Sequence, residues 1–307
     1  MAISNAQVLL PPRVLARVKD MPLIAKTVAE GFLLGVQPSI LKGSGVEFSQ
    51  YRGYEPGDPL SRIDWKLFGR SDRYYIRQAE QESETVVWLV VDASGSMGVG
   101  AQEHWNKLDY AKHLAATLAY IGHKQGDRVG LLILSSRGLI CLPPATGQAQ
   151  WQRLMVALTG LKSGQVFPSS QLVNHYSAQL QQPSLVFVIS DFYQQSDEIQ
   201  QFISQVSYQR NEVVALQLQS EDELDFNLVK SANAAMVRLK DLETGDEQLV
   251  SAKQIENDYF ANLLAYQQHL VEQLTAVGVN HTNINISEPM DQVLANYLQA
   301  RQSLILR

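Results

Sequence analysis

The sequence predicts an α/β protein built on a doubly wound, mostly parallel sheet, a Rossmann-type three-layer arrangement. Three observations lead there. Four apolar runs, at residues 86–91, 129–134, 185–189 and 213–218, have strand length and are rich in Val, Ile and Leu, as strands buried on both faces are. Segments with apolar residues at helical spacing separate them, the alternation expected of right-handed strand–helix–strand crossovers. Two of the runs end abruptly in an aspartate, Asp92 and Asp191, at the edge where open α/β sheets carry their sites.

Each element has its own justification. Residues 1–36 read as two helical pieces, one after Pro11-Pro12 and one after Pro22, because a proline near a helix start lacks only an N–H that would be unpaired there. Residues 37–84 are dense in Gly, Pro, aromatics and Arg. They read as turns with short strands at 46–48 and 74–78. Leu108, Ala111, Ala115, Leu118, Ala119 and Gly122 form a helical face whose small residues permit close approach to a sheet. Gly138–Leu142 reads as a strand antiparallel to 129–134. Gln148–Leu161 reads as a helix with Trp151, Leu154, Met155 and Leu158 on one face. Ser169 or Ser170 is placed to cap the helix that Pro183 stops. Ile199–Tyr208 reads as the next helix. Residues 234–250, with Thr244-Gly245-Asp246 at the centre, read as a β-hairpin inserted into the alternation. Ser251 and Gln254 form a capping-box pair opening a helix to Val277. A strand at 281–287 and a helix at 289–301 complete the chain. The expected division is an N-terminal extension, 1–84, and an α/β domain, 85–307.

Composition narrows the function. The net charge is −6, which excludes an overall basic field for nucleic acid. Residues 1–84 hold 11 Lys/Arg and 10 Asp/Glu, a net of +1, so the remainder holds 14 and 21, a net of −7. The acidic excess lies with the α/β portion and favours cations or basic surfaces there. The lone cysteine, Cys141, reads as a buried thiol in a reducing compartment. No apolar run approaches the roughly 20 residues of a membrane helix, and no signal-peptide pattern opens the chain. A cytoplasmic protein without a membrane span is expected.

Chemistry gathers at the first strand end. Asp92, Ser94 and Ser96 offer a carboxylate and two hydroxyls from one turn, hard oxygen donors that suit Mg2+ or Mn2+ better than zinc. Asp191 emerges at the same edge if its strand is parallel. The 166–171 loop, opening the preceding helix, brings Ser169 and Ser170 to that edge too. The alternative is that each Asp merely caps its own following helix. In the extension, Arg52, Arg62, Lys66 and Arg70 read either as a partner-binding surface or as one half of an ion network with Glu55, Asp58, Asp64 and Asp72.

The run DASGSMG at 92–98 resembles the metal-ion-dependent adhesion site of von Willebrand factor type A domains, Asp-x-Ser-x-Ser followed by a Thr and a later Asp. The resemblance implies Asp92, Ser94, Ser96 and Asp191 as site residues. Ser170 takes the threonine position, with Ser169 one register away. It implies Mg2+ (or Mn2+ or Ca2+) as the ion and a partner carboxylate completing its shell. The upstream residues Arg52, Tyr54, Gly57, Asp58, Ile63, Asp64, Trp65 and Lys66 resemble the signature of domain-of-unknown-function family 58 (DUF58). That family resemblance implies partnership with a MoxR-type AAA+ ATPase or its client. A metal-dependent phosphohydrolase using Asp92 competes, but the acid/base position two residues on is Ser94. The chain lacks a phosphate-binding Gly-x-x-x-x-Gly-Lys-Ser/Thr loop, His-Glu-x-x-His and Gly-x-Ser-x-Gly, as would be needed for other hydrolytic or nucleotide chemistry. A third reading is a scaffold with an empty site.

Overall fold

The alternation read from the sequence is the architecture. A computed structural model of the chain describes residues 15, 18, 20–35, 51–53, 69, 74–77, 85–100, 105–135, 140–164, 167–180, 183–193, 198–225, 236–240 and 247–305. The chain forms two compact units, one of Met1–Gly35 with Thr85–Arg307 and one of Val36–Glu84. The expected extension, 1–84, is not one of these two units. Residues 1–35 go with the α/β unit.

In the smaller unit, β1 (Tyr51–Gly53) pairs antiparallel with β2 (Tyr75–Arg77). The strand expected at 46–48 lies outside the described residues.

In the larger unit, α1 spans Met21–Gly35. Asp20 caps it, its Oδ1 accepting the Leu23 N–H at 3.1 Å, and Pro22 sits in the first turn, where it costs no hydrogen bond. Its apolar face, Ile24, Ala25, Val28, Ala29 and Phe32, is buried against α2 (Lys107–Gln125). The sheet follows: β3 (Val86–Asp92), β4 (Arg128–Leu134), β5 (Ile140–Ala145), β6 (Leu185–Ser190), β7 (Glu212–Gln219) and β10 (Asn280–Asn285). Their spatial order is β10-β7-β6-β3-β4-β5. All pairings are parallel except β4 with β5. The antiparallel strand is an edge, and it alone contains prolines, Pro143 and Pro144, as edge strands tolerate. Cys141 there is half-buried rather than buried, because an edge strand covers only part of its surface.

The strands alternate their side chains between two cores. Trp88, Val90, Leu132, Val186 and Val188 pack against Tyr176, Ile199, Phe202, Ile203, Leu270 and Leu274. Those residues come from α4 (Ser170–Ser177), α5 (Glu198–Tyr208) and α7 (Ala252–Ala276), with α3 (Gln148–Thr159) preceding them in the chain. On the other face α2 lies along β3 and β4. There Phe187 meets Tyr297 of α8 (Met290–Ile305) edge-on, with ring centroids 6.0 Å apart. Two glycines permit the packing. A Cβ on Gly122 would stand 2.7 Å from Val129 Cγ2, and one on Gly130 would stand 2.9 Å from the Trp88 ring. The expected hairpin is present as β8 (Met236–Lys240) and β9 (Glu247–Ser251), antiparallel; its turn lies outside the described residues. The caps differ from expectation. Ser251 and Ser169 occupy N-cap positions without making a side-chain cap hydrogen bond. Ser251 is committed to β9, where it pairs with Met236.

Candidate metal centre

The site lies where strand order reverses. From β3 the chain moves outward to β4 and β5 on one side. The other side is filled by β6, β7 and β10. The carboxyl ends of the neighbouring strands β3 and β6 therefore diverge into the crevice that such sheets use for ligands. Asp92 is the last residue of β3, and Asp191 follows the last residue of β6. Both are fully buried, as is Ser94.

The Asp92 carboxylate is held at both oxygens. Its Oδ1 accepts the Ser94 N–H at 2.9 Å and its Oδ2 accepts the Ser190 hydroxyl at 2.6 Å. The turn of Ser96–Gly98 follows as a short 3-10 helix. It sets Ser94 Oγ 3.1 Å from Ser96 Oγ, and the Ser96 hydroxyl donates to Asp191 Oδ1 at 3.2 Å. Asp191 Oδ1 also accepts the Tyr193 N–H at 3.1 Å. Phe192 between them has φ 63°, a left-handed conformation that is uncommon for a bulky residue and costs about 1–3 kcal/mol. Its N–H donates to Ser190 Oγ at 2.9 Å, and its carbonyl accepts the Tyr266 hydroxyl. These bonds hold the sharp turn that leaves Asp191 facing the β3 loop.

The second oxygen of Asp191 has another partner. Lys107 opens α2 and is fully buried. Its ammonium donates to Asp191 Oδ2 at 2.6 Å and to Glu223 Oε1 at 2.5 Å, and lies 5.2 Å from the centre of the Tyr193 ring. Glu223 belongs to the one-turn α6 (Glu221–Asp225), just past the end of β7, and its Oε2 accepts the Ser220 N–H at 3.0 Å. Burial alone would lower the Lys107 pKa, but the Asp191 and Glu223 carboxylates outweigh it and raise the value. The ammonium is therefore charged.

Asp92 feels the opposite balance. Burial and then the neighbouring Asp191 charge push its pKa up from 3.8 to about 7, against the hydrogen bonds from Ser190 and Ser94. A buried carboxylate raised in this way is one that a cation would stabilise. The donors fit a small ion. Six-coordinate Mg2+ has bonds of about 2.0–2.1 Å, which places adjacent ligands about 3 Å apart. The Ser94–Ser96 and Ser96–Asp191 oxygen separations of 3.1 and 3.2 Å match that spacing. The set is two carboxylates and two hydroxyls; among the described residues no group of three or more His, Cys, Asp and Glu could hold a metal.

Asp92, Ser94, Ser96 and Asp191 are thus linked as one group. Ser170 stands at the first position of α4, half-buried, without a hydrogen bond to that group among the described residues. Ser163 lies against the turn that follows Ser96. Ser163 Oγ would lie 3.2 Å from a Cβ on Gly98, and the neighbouring Gly164 N–H donates to the Ala93 carbonyl at 2.5 Å. Of the basic candidates, Arg52 lies in β1 opposite Ile76. Arg62, Lys66 and Arg70 lie outside the described residues.

Sequence reasoning missed Lys107, Glu223 and Ser190. Lys107 had a signal: a cation in the first helical turn opposes the helix dipole, so its placement after Asn106 needs a reason from elsewhere. Glu223 had one too, since Ser-Glu-Asp-Glu at 220–223 closes another parallel strand at the same edge.

Comparison with known proteins agrees with the DUF58 resemblance. An uncharacterized protein of Mycobacterium tuberculosis, Rv1480, is 26% identical over 258 residues, covering 83% of this chain and 78% of the relative. A Mycobacterium bovis protein, Mb1516, matches to the same extent. Among solved structures, the conserved hypothetical protein BatB from Bacteroides thetaiotaomicron superposes with a TM-score of 0.44 at 11% identity, covering 71% of this chain and 99% of BatB. The SpRpn10 VWA domain superposes with a TM-score of 0.39 at 9% identity, covering 68% and 93%. The family described as "Protein of unknown function DUF58" matches residues 50–294, and with four-fifths of its length inside that match the chain belongs to the DUF58 family.

Proposed function

We propose that the chain is a protein-interaction module of the von Willebrand factor A type, whose crevice at the ends of β3 and β6 binds a divalent cation, Mg2+ in preference, and through it a carboxylate of a partner protein. The observation that carries this reading is the convergence of Asp92, Ser94, Ser96 and Asp191, from strands about 95 residues apart in sequence, on one buried group of oxygen donors. Asp92 supplies the charge, Ser94 and Ser96 turn their hydroxyl lone pairs inward, and Asp191 orients Ser96. Ser170, the first residue of α4, is the further hydroxyl proposed for the ion. The bound ion would supply a positive charge for an incoming Glu or Asp side chain.

Interaction is favoured over hydrolysis. A phosphohydrolase working from Asp92 usually carries a second carboxylate two residues on as acid/base, and that position is Ser94. The partner we propose is a MoxR-type AAA+ ATPase, or a client it remodels, met in the cytoplasm; no helix among the described residues is long and apolar enough to cross a membrane. In this reading the Arg52–Arg70 stretch offers a second contact for an acidic partner. The test is direct binding of purified MoxR-type ATPase from the same organism to wild type and to Asp92→Ala, in Mg2+ and in EDTA. Binding to wild type in Mg2+ alone is expected. Equal binding in all four arms overturns the ion bridge.

A further inference from the structure

The buried ammonium of Lys107 sits at the edge of this site, although nothing in an oxygen-donor site calls for a lysine. It is fully buried, at the start of a helix, where the dipole disfavours a cation. It is fixed by Glu223, whose other oxygen is anchored to the Ser220 N–H. The result is a charge held in place from behind. Its effect falls on Asp191. Oδ2 is taken by Lys107 at 2.6 Å, and only Oδ1 faces Ser96.

We propose that Lys107, braced by Glu223, is the residue that sets which cation the site accepts; this rests on the ion-binding reading above. With Oδ2 reserved, Asp191 can approach an ion through one oxygen only, directly or through water. Mg2+ and Mn2+ accept that, since they take six ligands and bind carboxylates through single oxygens. Ca2+ takes six to eight and gains from two-oxygen carboxylates. The fixed positive charge beside the site also lowers affinity for every cation, so the site discriminates at the expense of tightness. Lys107 acts through Asp191 and is a positioning residue.

The experiment is calorimetric titration of the full chain with MgCl2 and with CaCl2, comparing wild type with Lys107→Met and with the double variant Lys107→Met/Glu223→Gln. The single variant leaves the buried Asp191 and the half-buried Glu223 without their counter-charge, which destabilises the fold. The double variant removes one charge of each sign and keeps the net charge, so it folds more readily and separates the geometry from bulk electrostatics. In either variant that folds, Ca2+ affinity should rise by roughly tenfold, the low end of what a residue behind a ligand contributes, and Mg2+ affinity by clearly less. An unchanged Ca2+ to Mg2+ ratio in the double variant, with wild type binding Mg2+, overturns the role of Lys107 and leaves the ion site standing. Binding by the double variant alone overturns the resting ion site and supports Lys107 as the group that excludes cations. Binding by neither protein overturns both.

Discussion

The chemistry of this protein rests on a few buried polar side chains whose charges do not balance locally. Asp92 is driven towards neutrality by burial and by Asp191, whereas Lys107 is held charged by Asp191 and Glu223. The aspartates were legible in the sequence because each ends an apolar strand. Ser190 was not, because a lone serine at a strand end carries no pattern that marks it as closing Asp92 Oδ2. The Ser170 position follows from a local pattern, and such a pattern does not fix where a hydroxyl points. His113 on α2 has its pKa lowered by burial, which outweighs its bond to the Asp109 carbonyl. The folded state therefore resists a proton that the unfolded chain accepts, and stability falls as pH drops through the ordinary histidine value of about 6.5. Urea midpoints at neutral and at mildly acidic pH should show a smaller acid loss for His113→Gln than for wild type. Equal losses would show that His113 is not responsible.

At the scale of elements, strands and helices were read well because the apolar runs and the 3.6-residue faces are long and unmixed. Caps and loop contacts were read poorly. Whether Ser251 caps α7 depends on its pairing with Met236, and whether Ser163 reaches Gly98 depends on a loop closing through Gly164. Neither contact has a sequence period. The close packing of Trp88 over Gly130 gives a direct test. A methyl group at 130 would meet both the Trp88 ring and Pro144 Cγ at 2.9 Å. Gly130→Ala should therefore destabilise by about 1–3 kcal/mol through overpacking, read as a lower urea midpoint. A neutral or stabilising change would mean that the sheet yields there at no cost.

For the whole molecule, the division of the chain is the main lesson. The composition changes at 84/85, but composition does not reveal which unit the first helix joins, and residues 1–35 go with 85–307. Ile24, Val28 and Phe32 belong to the core of the α/β unit, with Tyr120 of α2 donating to Glu30 Oε1 at 3.3 Å. Phe32, only 4% exposed, should behave as a core residue. Phe32→Ala should cost about 3–5 kcal/mol and lower the unfolding midpoint of the same cooperative transition that Gly130→Ala lowers. A change below about 1 kcal/mol would mean that α1 is a dispensable appendage.

The proposed function depends on the crevice between β3 and β6 holding a divalent ion through Asp92. Thermal unfolding with and without MgCl2, on wild type and Asp92→Ala, addresses it most directly. Wild type should be stabilised as the ion is raised, by about 2.7 kcal/mol at 100 times its dissociation constant, while Asp92→Ala folds but gains nothing. No stabilisation of wild type, or the same gain in both proteins, would contradict it.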